Sequence, residues 1–186
     1  MRRVCSFPPV ENRRARILIL GSMPGAASLR AGQYYANPQN QFWRIVCSVL
    51  GAEPVPDYAA RVRLLRARGI ALWDVLESCV RIGSLDSAIQ DDSVVTNDFA
   101  GFFRTHPAVS LVLFNGAKAE SSYSRHVLPT LGAKACALER LRLPSTSPAH
   151  AAMTFAQKRA AWKSALTSGA SFGESAVLRG HQERGD

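Results

Sequence analysis

At 186 residues, 47% hydrophobic and 20% charged, the chain suits one globular domain with a real core, and no apolar run approaches the ~20 residues of a membrane span. Its basic start, MRRVCSFPPVENRRAR, has no apolar h-region, which argues against secretion and for a cytoplasmic protein. The net charge of +9 points to a polyanionic partner, nucleic acid ahead of an anionic membrane surface, unless the arginines only solvate exposed faces.

Residues 1–14 read as a loose lead-in. The apolar run ARILIL (15–20) stops at Gly21 and predicts a buried strand. NQFWRIVCSVL (40–50) carries Phe42, Ile45, Val46 and Val49 at helical spacing, with Gly51 as a stop. PDYAARVRLLRARG (56–69) predicts an amphipathic helix, and IALWDVL (70–76) a second strand running into a loop. A short helix is expected in TNDFAGFFRTH (96–106), capped by Thr or Asn. VSLVLFNG (109–116) repeats the pattern of the first strand, and a helix from about Lys118 to Leu128 follows. KACALERLRLPSTSPAH predicts one or two short strands ending in a Pro/Ser turn. TFAQKRAAWKSAL (154–166) is the closing helix, capped by Thr154. The expected organisation is one domain over residues 15–168 and a disordered tail over 169–186.

Strands alternating with helices predict an α/β fold with a parallel sheet covered on both faces. Ligands in such folds bind beyond the carboxyl ends of the strands. Three of those ends carry unusual residues: Gly21–Gly25, Asn115–Gly116 and Pro144–Pro148. They should converge on one site. Glycines admit a ligand close to the backbone, tyrosines offer stacking faces, and amides offer paired donors and acceptors. A planar, hydrogen-bonding ligand needs such a set.

Taken together, GSMPG, YYANPQNQFW, VLFNG and LPSTSPA resemble the motifs of the uracil-DNA glycosylase superfamily. The hypoxanthine-DNA (deoxyinosine) glycosylase branch is most similar, followed by the mismatch-specific uracil glycosylases. The resemblance covers roughly residues 15 to 166. It implies a three-layer αβα sandwich with a short, mostly parallel central sheet. It also implies a monofunctional, cofactor-free and metal-free enzyme of base excision repair. Such an enzyme flips a deaminated base, hypoxanthine or uracil, out of DNA and hydrolyses its glycosidic bond. The substrate would be double-stranded DNA, with single-stranded DNA left open, and the enzyme a monomer with no membrane partner.

Through the resemblance, Gly21, Ser22 and Met23 line the sugar and the reacting bond. Many relatives carry Asp or Asn where this chain has Met23, and a thioether cannot orient water strongly. The hypoxanthine branch uses a later Asn, which matches Asn40 as the residue that positions the water; its other reading is a cap for the following helix. Tyr35 falls where relatives stack an aromatic on the flipped base, or else shields the loop. Asn115 would read the lactam edge shared by uracil and hypoxanthine; its other reading is a left-handed turn before Gly116. Ser145, Thr146, Ser147, Pro148, Ala149 and His150 form the loop expected to pinch the duplex, with Ser147 the foremost phosphate contact. His150 serves either there or simply beside the last helix.

No Asp or Glu falls in these loops, which predicts a reaction led by departure of the base rather than by a strong general base. The four cysteines form no CxxC pair, so neither zinc nor an iron–sulfur cluster is indicated, and reduced, mostly buried thiols are expected. GSMPG is not the G-x-S-x-G elbow of a serine hydrolase, and GSMPGAASLRAG lacks the lysine of a phosphate-binding loop. The remaining alternative is a catalytically silent DNA-binding relative.

Overall fold

The structure is a computed structural model describing residues 3–53, 57–83 and 85–179, with side chains described as far as residue 167. Four parallel strands form its centre in the order β3-β2-β6-β7, where β2 is Ile17–Gly21, β3 Ile70–Asp74, β6 Leu111–Asn115 and β7 Glu139–Leu143. Every residue of β2 and β3 is buried, as expected for strands covered on both faces. Edge strand β7 is different: Glu139–Arg142 are exposed, and charge on an open edge discourages further pairing.

Parallel strands need crossovers, and helices supply them. They are α1 (Ala26–Ala31), α2 (Phe42–Val49), α3 (Tyr58–Ala67), α4 (Phe99–Thr105), α5 (Ala117–Ser122), α6 (Ala133–Cys136) and α7 (Phe155–Arg179). Helix α3 is capped by Asp57 accepting from Ala60 N–H, and α4 by Asp98 accepting from Gly101 N–H. The α4 cap is thus neither of the residues expected. Thr154 does cap α7: its hydroxyl accepts from Gln157 N–H while Gln157 Oε1 accepts from Thr154 N–H, a reciprocal capping box. The helix then continues to Arg179, through residues expected to be disordered from 169 onward. For residues 180–186 that expectation lies outside the described residues.

Two features correct the sequence reading. A second, antiparallel sheet joins β1 (Arg3–Cys5), β4 (Leu76–Val80) and β5 (Val95–Thr96) in the order β1-β4-β5. The lead-in is therefore not loose over its described residues. Pro8 and Pro9 remove any helical or strand period there. The segment is held instead by the β1–β4 pairing, by buried Val10 bridged to Leu72, and by Phe7 packed edge-on against Tyr34. The predicted helix after β6 is also broken. Beyond Ser122 it widens into a π-turn over Tyr123–Val127, followed by a 3₁₀ turn over Leu128–Thr130.

Candidate active site

The carboxyl ends of β2 and β6 and the loop after β7 open onto one cavity of about 440 Å³, within the usual range for small-ligand sites. Gly21–Ser28, Tyr34, Tyr35, Asn37, Asn40, Asn115, Ser145 and Ser147–His150 line it. The three strand ends singled out in the sequence thus meet. So do two residues the sequence reading did not place there, Asp74 and Asp86.

Thr146 is the residue of its loop that does not line the cavity. It was expected on the DNA-facing surface, yet it is 0% exposed. Its place is structural: Asn115 Nδ2 donates to the Thr146 hydroxyl at 2.9 Å, and that hydroxyl donates to Asn40 Oδ1 at 2.9 Å. Thr146 N–H also donates to Asn115 Oδ1 at 2.9 Å, and Phe42 N–H to Asn40 Oδ1 at 3.0 Å. Because a backbone N–H can face only an acceptor, these two bonds fix which end of each amide is oxygen. Asn40 therefore satisfies the first N–H of α2 from just ahead of the N-cap Gln41, its Oδ1 fully engaged, and keeps the N–H bonds of Nδ2 for other use. Asn115 keeps one N–H and one acceptor position.

Tyr35 adopts a left-handed φ of 54°, uncommon for a non-glycine residue and characteristic of constrained functional loops. Its ring stacks on Phe42 at 4.0 Å between centroids and 22° between planes, and it lines the cavity. Its hydroxyl is buried without a hydrogen-bond partner. Burial, with the nearby Asp74 charge, pushes this phenol well above its ordinary range; Asn115 lies close enough to ease the shift, but its amide bonds go to Thr146. Tyr34 is a core residue, 3% exposed, with its hydroxyl directed to the Phe7 and Pro8 carbonyls and its own carbonyl accepting from Trp43 Nε1.

Met23 is buried against the core and contributes only apolar surface to the cavity wall. Ser22 donates to Asp86 Oδ1 at 2.7 Å. Burial raises the Asp86 carboxyl above its ordinary value, opposed by the Ser22 bond and by the Arg81 and Lys118 charges. Buried Arg81 donates to the Pro24 carbonyl, which ties the GSMPG turn to the segment after β4. Asp74 pairs in register with Gly21 across β2 and β3, and its carboxyl occupies the space a Cβ at residue 21 would need. Ser6 donates to Asp74 Oδ2 at 2.7 Å. Burial is the main cause that pushes this carboxyl up to about 7, Asp86 adding to it and Ser6 and Arg81 opposing. The motif loops carry no acid, but Asp74 and Asp86 reach the cavity from outside them. A signal existed in the sequence: Asp74 closes the apolar run IALW, as Asn115 closes LVLF.

The loop after β7 is clamped from behind by α7. Trp162 Nε1 donates to the Pro144 carbonyl at 3.1 Å, and buried Lys158 donates to the His150 carbonyl at 2.7 Å. Between these anchors Ser145 Oγ accepts from Ser147 N–H and Ser147 Oγ from Ala149 N–H, leaving Pro148 and Ala149 exposed. His150 is half-buried and lines the cavity. Among the described residues no three His, Cys, Asp or Glu side chains gather into a metal site.

The family model described as the Uracil DNA glycosylase superfamily matches residues 8–168. The chain belongs to the uracil DNA glycosylase superfamily. Within this superfamily it is 44% identical over 115 residues to the hypoxanthine DNA glycosylase of Methanosarcina acetivorans, covering 61% of this chain and 71% of the relative. The hypoxanthine DNA glycosylase of Methanosarcina barkeri is 41% identical over 114 residues, with the same coverage of 61% and 71%. A solution NMR structure of a "putative Uracil DNA glycosylase" from Methanosarcina acetivorans superposes with a TM-score of 0.75 at 34% identity, covering 90% of this chain and 99% of that one. The αβα sandwich with its parallel sheet is thus the superfamily's fold.

Proposed function

We propose that this DNA glycosylase flips a deaminated base, hypoxanthine or uracil, out of double-stranded DNA and hydrolyses its N-glycosidic bond, leaving an abasic site. The carrying observation is the Asn115 amide, held at the cavity by Thr146 with one donor and one acceptor position open. Hypoxanthine and uracil both present a carbonyl beside a ring N–H, which such an amide matches. Cytosine and adenine present an amino group beside a bare nitrogen and are rejected by the same fixed orientation. Two relatives named for hypoxanthine support this reading.

In this reading the base stacks in the cavity against Tyr35, and Asn40 holds the attacking water through Nδ2, since its oxygen is engaged. Donors around the base stabilise the charge it gathers on leaving. Ser145 and Ser147–Ala149 approach the phosphates, held there by the α7 clamp. With Ala149 small, the gap left in the duplex is filled by Leu85, a 59% exposed apolar side chain on the cavity wall. The enzyme acts as a monomer.

The test is incubation with duplexes carrying one deoxyinosine or one deoxyuridine, followed by alkaline cleavage at abasic sites. Strand breakage at the lesion is expected. Tight, salt-sensitive DNA binding with every lesion left intact would instead favour the silent DNA-binding relative.

A further inference from the structure

We propose that Asp74 is the general acid of hypoxanthine excision, delivering its carboxyl proton to a ring nitrogen of the leaving purine, a step that a pyrimidine cannot use. The proposal rests on the reading of the chain as a base-excising enzyme.

Its ground is the position of the carboxyl. Asp74 ends β3 beside Gly21, the residue that ends β2, and its carboxyl overlies the bare Gly21 backbone at the cavity wall. The Tyr35 hydroxyl approaches the same point, 2.9 Å from where a Cβ at residue 21 would lie. The side chain is 3% exposed, so it cannot rotate out to water. Among the described residues no cation bonds it, and its oxygen Oδ2 accepts only the Ser6 hydroxyl. The charged and titratable groups around it are Asp86, Arg81 and the hydroxyls of Tyr34, Tyr35 and Tyr58, with His150 on the same cavity. Asp86 disfavours a second negative charge, and Arg81 directs its guanidinium to the Pro24 carbonyl. The neutral acid is therefore the favoured form up to about pH 7. Asp86 is a weaker candidate, because the Arg81 and Lys118 charges both favour its carboxylate form.

Purines and pyrimidines differ in what they offer such an acid. Hypoxanthine carries basic in-plane lone pairs at N7 and N3. Uracil carries no basic ring nitrogen, only carbonyl oxygens, which are far weaker bases. As the C1′–N9 bond breaks, its electron pair stays with the base. The Asp74 proton bonds to N7 or N3, so hypoxanthine departs neutral and Asp74 becomes a carboxylate. Water then attacks C1′ of the cationic sugar, and the proton it releases restores the acid by way of solvent. The sum is one water consumed, with hypoxanthine and an abasic sugar formed.

Single-turnover excision of hypoxanthine and uracil is measured across pH for wild type and Asp74→Asn, with thermal melting as the check on folding. For wild type acting on hypoxanthine, a plateau below about pH 7 and a fall above it are expected. Asp74→Asn should lose on the order of a hundredfold on hypoxanthine, along with that pH limb. DNA carrying 7-deaza- or 3-deaza-hypoxanthine removes the proton acceptor without altering the protein, and decides the matter even if the variant misfolds. One of the two analogues should resist wild-type enzyme. Wild-type rates on both analogues, or an Asp74→Asn profile that retains the pH limb, would overturn the acid. A wild-type enzyme that excises neither natural base would instead overturn the reading beneath it.

Discussion

The Thr146 hydroxyl donates to Asn40 Oδ1 at 2.9 Å across 106 residues of chain. That bond joins the loop after β7 to the start of α2, and so makes the two site amides one unit. Through Thr146, whatever turns Asn115 also reaches Asn40.

Replacing Thr146 by Val keeps the shape and removes the hydroxyl. Asn115 Nδ2 loses its acceptor and Asn40 Oδ1 loses one donor, both at a half-buried site. A loss of about 1–3 kcal/mol in stability is expected, from groups left short of a partner. Turnover should drop tenfold or more as both amides gain freedom. Thr146→Ser, which keeps the hydroxyl, should recover most of the rate. A Val variant with wild-type single-turnover rates would show that the amides need no such support.

Asn40 carries two duties that separate experimentally. Asn40→Ala deletes the bond from Phe42 N–H, which should lower stability by about 1 kcal/mol, as other lost caps do. If Nδ2 holds the water, turnover per folded molecule should also fall by roughly two orders of magnitude or more, with DNA binding nearly intact. A lower melting temperature with normal turnover would leave Asn40 as a cap alone.

Much of this was legible in the sequence, for particular reasons. β2, β3 and β6 are apolar runs ended by Gly, Asp or Asn, and a buried parallel strand hardly reads otherwise. The convergence of three loops follows from strand direction alone. The burial of Thr146 does not, because it depends on which way a six-residue polar loop turns, and that turn is set by Trp162 and Lys158 far along the chain. The β1–β4 pairing was hidden for the same reason: three residues with no period find partners about 75 positions away. Asp74 is legible only as the polar stop of IALW, although a carboxyl at a buried strand end is costlier than Gly, Pro or Asn.

The Asp74 carboxyl also sets a pH dependence of stability. Its value in the fold, about 7 against an ordinary 3.8, means the native state holds a proton that the unfolded chain has released between those limits. Unfolding then releases a proton, so stability falls as pH rises from about 4 to 7 and levels off above. Asp74→Asn removes this term. The variant should match wild type near pH 4 and exceed it by about 2–4 kcal/mol at pH 8. Denaturant midpoints at the two pH values measure the difference, and equal gaps at both would mean the group titrates normally.

The last test concerns Asn115, where recognition and the amide network meet. Asn115→Asp keeps the shape and retains an oxygen for the Thr146 N–H. The second oxygen, however, now faces the Thr146 hydroxyl where Nδ2 had donated. That hydroxyl has one proton, and a carboxylate draws it more strongly than the Asn40 carbonyl does. The bond to Asn40 Oδ1 is then lost, so the substitution unsettles the water-holding amide as well as the base-reading one. On the substrate side, the donor to the base carbonyl disappears, and a negative charge faces the charge that grows as the base leaves. About 2–4 kcal/mol of transition-state stabilisation should be lost, or roughly thirtyfold to a thousandfold in rate, with duplex affinity little changed. The measurement is single-turnover excision of hypoxanthine and uracil by wild type and variant, with cytosine as a third substrate because a carboxylate can accept from its amino group. Adding Asn40→Ala to Asn115→Asp should cost less than the two losses combined, since the first substitution has already weakened the second site. Unchanged rates on both deaminated bases would make Asn115 a turn residue beside Gly116 and remove the basis for reading a lactam edge.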